Sequence, residues 1–137
     1  MRYPSLFISL LLLSACAAPL PARDAAMAWV DLYASASDVL MAEKLDGKRL
    51  NDGRYFQMVP GDHELIARFQ FDVPGGGSQM AEPVQRTCEI RVRYAGFTAG
   101  QRYRLEARPL AMSAQAWLYD EQRNVLARGK VLRCGTF

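Results

Sequence analysis

The sequence predicts an all-β fold, a small antiparallel β-sandwich of about seven or eight strands that follows a cleaved N-terminal signal peptide. Three observations support this prediction. Apolar and polar residues alternate with a period of two along several segments, as expected for strands with one buried and one solvated face. Turn-forming pairs that contain Gly, Pro, Asn or Asp separate these segments at short intervals. After residue 15, no segment of ten or more residues has a convincing helical period.

The first 15 residues have the organisation of a secretory signal peptide. Residues 1–5 carry one basic side chain, residues 6–13 are apolar apart from Ser9, and residues 14 and 15 are small. The apolar run is far shorter than the ~20 residues that a transmembrane helix needs. It also has no polar face and no N-cap, so a buried core helix is the weaker interpretation. The sequence therefore predicts export and cleavage.

The end of this signal resembles the bacterial lipobox. Leu13-Ser14-Ala15-Cys16 fits each position of that motif. The resemblance implies that Cys16 receives a thioether-linked diacylglycerol, and that cleavage before Cys16 exposes an amino group for acylation. Two or three acyl chains give a stable anchor. Because Ala17 rather than Asp follows, the sorting rule of enteric lipoproteins favours the periplasmic side of the outer membrane over the inner membrane.

The length of the remaining chain indicates one domain, and its small net charge indicates no strong electrostatic attraction to polyanions. Removing residues 1–15 leaves 137 − 15 = 122 residues, of which 16–25 are expected to form a lipidated tether and 26–137 the β-sandwich. Subtracting Arg2 from 17 basic residues leaves 16, against 14 acidic ones. This small excess and the exported location argue against nucleic acid as a partner.

Two cysteines remain once Cys16 is assigned. In an oxidising envelope compartment, Cys88 and Cys134 predict one disulfide bond. The alternative is a metal-binding pair, but the chain has one histidine and no closely spaced cysteines. We therefore expect neither a metal site nor a cofactor.

The first two strands are predicted at residues 26–33 (AMAWVDLY) and 39–45 (VLMAEKL). The second leads into Asp46-Gly47, a strong hairpin signal. Residues 34–44 are also compatible with a helix that Ser35 or Ser37 would cap. This helix is kept as an alternative to the second strand.

The remaining strands are predicted from the same alternation. They lie at residues 55–59, 64–72, 84–94, 101–108, 114–119 and 124–133. The clearest is 64–72, in which Leu65, Ala67, Phe69 and Phe71 share one face. Residue Cys88 shares the inward face of its own strand with apolar neighbours, as a bridging cysteine should.

Residues 44–71 (KLDGKRLNDGRYFQMVPGDHELIARFQF) resemble the PEGA-type module of surface proteins. Asp46-Gly47 fits its first turn, residues 55–59 its middle strand, and Pro60-Gly61-Asp62-His63 its second turn. Residues 94–105 (YAGFTAGQRYRL) also resemble the second half of uncharacterised envelope lipoproteins. The resemblance implies a noncatalytic β-sandwich unit attached to a cell surface.

Four arginines are the candidate binding residues: Arg91, Arg93, Arg102 and Arg104. If their two strands pair, the guanidinium groups lie together on one outer face. Such a face suits lipid A phosphates, peptidoglycan carboxylates or an acidic protein. The alternative is a solvated sheet face that Glu89 and Glu106 partly neutralise.

His63 and two aromatic residues have open roles. His63 is the only histidine, and it is either a base or weak metal ligand or, at its Pro-Gly turn, a turn or cap residue. No G-x-S-x-G, H-E-x-x-H or phosphate-loop motif occurs. Trp117 and Tyr119 lie on the opposite strand face from Ala116 and Leu118, and one of these two faces is core. Core packing of the aromatic pair is the commoner arrangement, and the alternative is an exposed aromatic strip able to bind a partner.

Together these features predict a noncatalytic, lipid-anchored envelope protein with a binding or structural role at the periplasmic face of the outer membrane. Its expected partners are the membrane, through the anchor, and an envelope protein, lipopolysaccharide or peptidoglycan. One alternative is a periplasmic inhibitor or chaperone-like regulator, for which residues 74–79 would form the protruding loop. A hydrolase that uses His63 is the other.

Overall fold

The computed structural model describes residues 18–75 and 82–137. Cys16 and most of the loop at 74–79 therefore lie outside the described residues. The described chain forms ten strands: β1 (Ala28–Tyr33), β2 (Val39–Leu45), β3 (Lys48–Arg49), β4 (Tyr55–Met58), β5 (Gly61–Val73), β6 (Val84–Phe97), β7 (Arg102–Leu110), β8 (Ser113–Tyr119), β9 (Val125–Arg128) and β10 (Lys130–Gly135). No helix in these ranges has the length and hydropathy needed to cross a bilayer.

The strands form two five-stranded sheets. Sheet A has the order β4-β1-β7-β8-β9, and sheet B has the order β10-β6-β5-β2-β3. This architecture confirms the predicted all-β sandwich. One pair departs from an antiparallel arrangement, because β1 and β7 run parallel. A parallel pair needs a long crossover, and here the intervening chain supplies it by forming β4 and most of sheet B.

The core lies between the inward faces of the two sheets. Leu65, Ala67, Phe69 and Phe71 of β5 are all buried, which confirms the alternation predicted for residues 64–72. From sheet A, Val30, Leu105 and Leu118 are fully buried opposite them. At ~25 cal/mol per Å² of apolar surface removed from water, this shared interior is the main stabilising contribution of the sandwich.

The strand predicted at residues 39–45 is confirmed, and the alternative helix does not form, because β2 takes its hydrogen bonds from β5. One local prediction is wrong, and non-local pairing explains it. The single strand predicted at 124–133 is two strands, β9 in sheet A and β10 in sheet B. The chain changes sheets at Gly129, where an added Cβ would lie 2.8 Å from Ile90 Cγ2. A residue without a side chain is needed where the chain passes this close to the core.

The two cysteines predicted to pair lie on neighbouring strands. Cys88 of β6 is opposite Cys134 of β10. Their sulfur atoms are 2.05 Å apart, which is disulfide distance. Since β10 is an edge strand, this contact ties the C-terminal segment to the interior strand β6.

Candidate ligand-binding face

The four candidate arginines do not share one face. Arg91 and Arg93 lie on β6 in sheet B, whereas Arg102 and Arg104 lie on β7 in sheet A. The expectation that these strands pair is wrong, because the turn after β6 carries the chain across to the other sheet. There β7 pairs with β1 and β8. The predicted four-arginine cluster is therefore split between opposite outer surfaces of the sandwich.

On sheet B the outward arginines are largely neutralised. Arg93 Nε donates to Glu64 Oε2 at 2.8 Å, and the two residues are opposite each other in the β5–β6 pair. Similar ion pairs join Arg68 to Glu43 at 3.1 Å and Arg133 to Glu89 at 2.9 Å. This surface matches the solvated, neutralised sheet face that the sequence left open as the alternative.

The outer surface of sheet A combines aromatic rings with guanidinium groups. Alternation turns every second residue of β1, β4, β7 and β8 outward. Arg128 of β9 is opposite the outward Trp117, and the turn between β8 and β9 adds Arg123. We call this surface the aromatic–arginine face. Its members are Trp29, Tyr33, Tyr55, Trp117 and Tyr119 with Arg102, Arg104, Arg108, Arg123 and Arg128.

Three guanidinium groups of this face stack on aromatic rings. Their central carbon atoms lie 4.0 to 5.0 Å from the ring centroids, within cation–π range. The pairs are Arg104 over Tyr33, Arg123 over Tyr119, and Arg108 over Trp117. Trp29 and Tyr55 stack on each other with centroids 4.2 Å apart. These contacts hold long side chains in defined positions on a rigid sheet, so the face is organised before any ligand arrives.

Glu106 links two of these arginines. It is only 7% exposed, although it lies on the outer side of β7. Arg123 Nη1 donates a hydrogen bond to Oε1 at 3.0 Å, and Arg104 Nε forms an ion pair with the same oxygen at 3.1 Å. The hydrogen bond to Glu106 raises the pKa of the Arg123 guanidinium. A buried carboxylate needs such partners, and the two stacked guanidinium groups supply them.

Asp31 positions a third arginine. Arg102 donates to both of its carboxylate oxygens, and Trp29 Nε1 donates to Oδ1 at 2.9 Å. Burial raises the pKa of Asp31, but the hydrogen bonds from Arg102 and Trp29 outweigh it and hold that pKa below its ordinary value of 3.8. The Arg102–Asp31 ion pair is therefore charged at neutral pH.

Two depressions follow from this arrangement. One, of about 420 Å³, lies between β7 and the β8–β9 turn, and Arg102, Arg104 and Arg123 reach it. A smaller one, of about 100 Å³, lies beside Trp117 and Arg128. Within the described residues, neither Arg108 nor Arg128 makes an ion pair, so positive charge beside Trp117 is available to a ligand.

The sequence did not decide how Trp117 and Tyr119 are placed. Ala116 and Leu118 face the core, so the commoner arrangement, with the aromatic pair in the core, is not the one adopted. The pattern that could have predicted this face is the recurrence of arginine and aromatic residues at alternate positions of β7 and β8. It cannot be recognised from the sequence until these two strands are known to be neighbours.

His63 has a structural role in the turn. It is 9% exposed, and each ring nitrogen lies beside an oxygen acceptor: Nδ1 is 2.5 Å from Asp46 Oδ2, and Nε2 is 2.6 Å from the Val59 carbonyl. The backbone N–H of Glu64 donates to the other Asp46 oxygen and is the main reason why the pKa of Asp46 is lowered. The nitrogen that a general base would use is thus occupied by Val59.

No set of three or more His, Cys, Asp or Glu side chains suited to a metal occurs among residues 18–75 and 82–137. A scan against family models, a search of curated proteins and a search of solved structures found no match to this chain. The resemblance of residues 44–71 to a PEGA-type module stays a prediction. The function is therefore argued from the geometry of the face and from the N-terminal motif.

Proposed function

We propose that this protein is a noncatalytic, lipid-anchored envelope protein at the periplasmic side of the outer membrane, and that its aromatic–arginine face binds an anionic envelope glycan. One observation carries the binding role. Aromatic rings and guanidinium groups alternate on one rigid sheet face, and two of the guanidinium groups have no carboxylate partner among the described residues. Aromatic rings give apolar contact area, while arginine binds carboxylates and phosphates through paired hydrogen bonds.

The proposed location rests on two features. The Leu13–Cys16 motif supports lipidation of Cys16 in an exported chain. The disulfide distance between Cys88 and Cys134 supports an oxidising compartment, because such bonds persist outside the cytosol. Both features favour the envelope.

The arginines of the face would have two kinds of role. Arg102, Arg104 and Arg123 are held by Asp31 and Glu106 and so present donors in fixed directions. Arg108 and Arg128 lie on β7 and β9, the two strands that flank Trp117 of β8. They supply positive charge that no ion pair within the described residues neutralises. A sugar ring that packs on Trp117 would place an attached carboxylate or phosphate near these two guanidinium groups.

Peptidoglycan and lipopolysaccharide share this chemistry, since both join sugar rings to anionic groups. A co-sedimentation experiment with purified lipidated protein separates them, with peptidoglycan sacculi in one arm and lipopolysaccharide aggregates in the other. We expect Arg108→Gln/Arg128→Gln to weaken binding about tenfold or more, because each charge-assisted hydrogen bond contributes about 1.5–3 kcal/mol. The matched control is Arg91→Gln/Arg93→Gln, which removes the same charge from sheet B.

The outcomes identify the ligand or refute the site. Retention by sacculi alone assigns a carboxylate-bearing glycan, and retention by lipopolysaccharide alone assigns a phosphorylated one. Equal loss in the sheet A and sheet B variants would show that general charge, not this face, causes binding. Failure to bind either material would overturn the proposed glycan-binding role.

A further inference from the structure

Exposed apolar side chains are concentrated at one end of the sandwich. Among residues 18–75 and 82–137, six large apolar side chains at this end are between 45% and 53% exposed. We call this region the apolar end and define it by these six residues: Tyr33, Val39, Val84, Leu110, Met112 and Phe137. They come from five different parts of the chain, so the concentration is a property of the fold and not of one segment.

The strand register of sheet A places three of them at the same end. Tyr33, the last residue of β1, is opposite Glu106 of the parallel strand β7. β7 continues for four more residues to Leu110, which pairs with Ser113 across the β7–β8 turn. Met112 lies in that turn. At about 3.3 Å per residue, the turn projects roughly 13 Å beyond the end of β1.

Sheet B contributes the other three. Arg86 Nε donates to the carbonyl oxygen of Met112, which puts the start of β6 and its first residue, Val84, beside the β7–β8 turn. β2 begins at Val39, near the end of β5 that pairs with the start of β6. Phe137 follows β10, whose last residues also pair with the start of β6.

The N-terminal segment leads towards this same end. Before β1 the chain passes along the edge of sheet A, where the Asp24 amide donates to Gln57 Oε1 at 3.1 Å. Further back, the Ala18 carbonyl accepts a hydrogen bond from Arg54, which immediately precedes β4. Since β4 runs antiparallel to β1 and starts opposite Asp31, the path from Asp24 back to Ala18 runs towards the apolar end.

We infer that the apolar end docks into the interface of the bilayer that holds the acyl chains of Cys16, an inference that rests on the proposed lipid anchor. Cys16 lies two positions before Ala18, a reach of at most about 7 Å. Apolar elements at a membrane surface penetrate about 5–10 Å into the headgroup boundary, which is comparable with the projection of the Leu110–Met112 turn. The anchor and the apolar end therefore meet the same surface.

Charge at this end is mixed and does not direct docking by itself. Arg86 and Arg108 lie near the apolar residues, and so do Asp72 and Glu82. The apolar side chains supply the affinity, and the acyl chains supply the high local concentration. The docked orientation leaves the outer surface of sheet A roughly perpendicular to the membrane plane and open to the periplasm.

Tryptophan placed at the two ends of the sandwich tests the inference. The lipidated full chain is reconstituted in vesicles whose phospholipid acyl chains carry bromine, which quenches nearby tryptophan fluorescence. Met112→Trp adds a probe at the apolar end, and Val125→Trp is the matched control in the β8–β9 region at the opposite end, where Val125 is 57% exposed. Unsubstituted protein supplies the background from Trp29 and Trp117.

If the turn lies in the membrane interface, the tryptophan fluorescence that Met112→Trp adds to the background should be about twofold or more lower in brominated than in unbrominated vesicles. The fluorescence that Val125→Trp adds should be the same in both. Equal quenching of both probes, or of neither, would overturn the inference. Shielding of Met112→Trp from aqueous acrylamide without quenching by bromine would also overturn it, because a protein, such as a second copy, would then cover this end.

Intact-mass measurement separates this inference from the proposed anchor. If the mature chain carries no acyl groups on Cys16, both the proposed anchor and the docking inference are refuted. An acylated, vesicle-bound chain whose Met112→Trp probe is not quenched refutes docking alone and leaves the anchor in place.

Discussion

Glu106 allows a prediction about which side of an ion pair matters for stability. Its carboxylate accepts a hydrogen bond from Arg123 at 3.0 Å and forms an ion pair with Arg104 at 3.1 Å. The Glu106 side chain is 9% exposed, whereas those of Arg104 and Arg123 are 40% and 58% exposed. Water can solvate either guanidinium group when the carboxylate is removed, but it reaches the carboxylate poorly when the guanidinium groups are removed.

The expected costs are therefore unequal. Arg104→Gln/Arg123→Gln leaves a buried carboxylate without its charged partners, which costs about 3–5 kcal/mol of unfolding free energy in buried pairs and is expected near the lower value for this partly open pair. Glu106→Gln keeps the side-chain shape and a carbonyl acceptor, and it should cost about 1 kcal/mol. The triple variant should recover roughly 2 kcal/mol relative to the double arginine variant, since no buried charge remains.

Urea unfolding at pH 7, followed by far-ultraviolet circular dichroism, measures these differences. The control is Arg93→Gln, whose ion pair with Glu64 lies on the exposed side of sheet B and should contribute no more than about 1 kcal/mol. The reasoning from burial is wrong if Glu106→Gln costs as much as the double arginine variant, or if the triple variant is the least stable of the set.

Three further predictions concern stability. Replacing Cys88 and Cys134 by alanine opens a loop with a sequence separation of 46 and should lower the unfolding free energy by about 4 kcal/mol in the chain-entropy model, measured by urea unfolding against the oxidised protein. The hydrogen bonds to Asp31 lower its pKa in the folded protein below 3.8. Its contribution to the free energy of unfolding is therefore present above pH 3.8 and is lost as the pH falls through the lower pKa of the folded state. Asp31→Asn should therefore flatten the decline of the melting temperature on acidification below pH 4, and an unchanged slope would count against this ion pair. Gly129→Ala should cost about 1–3 kcal/mol, because the new Cβ would lie 2.8 Å from Ile90 Cγ2, and a melting temperature equal to that of the parent would refute the close packing.

The sequence was informative about strands because alternation is a local property. The residues that β5 turns inward could be read directly from Leu65 to Phe71, and Cys88 could be placed on the inward side of β6. Turn pairs such as Asp46-Gly47 marked where strands end. Strand β3, of only two residues, carries no such pattern and was not predicted.

The candidate site was harder to predict because its members are distant in sequence. Asp31 and Arg102 are 71 positions apart, yet they form one ion pair since β1 and β7 are parallel neighbours. Arginines that looked equivalent, Arg93 and Arg102, occupy opposite surfaces of the sandwich. Nothing in the local pattern around either residue specifies the sheet to which its strand belongs.

By itself the sequence determined which side of each long strand is buried and that the class is all-β, whereas the lipoprotein signal that its first 16 residues resemble stays a prediction. Only the tertiary structure decided which strands are neighbours, and with them the aromatic–arginine face and the apolar end. The physical reason is that burial of alternate residues depends on the hydrophobicity of each segment alone. Strand order depends on the free energy of packing two whole sheets together, to which residues from all parts of the chain contribute.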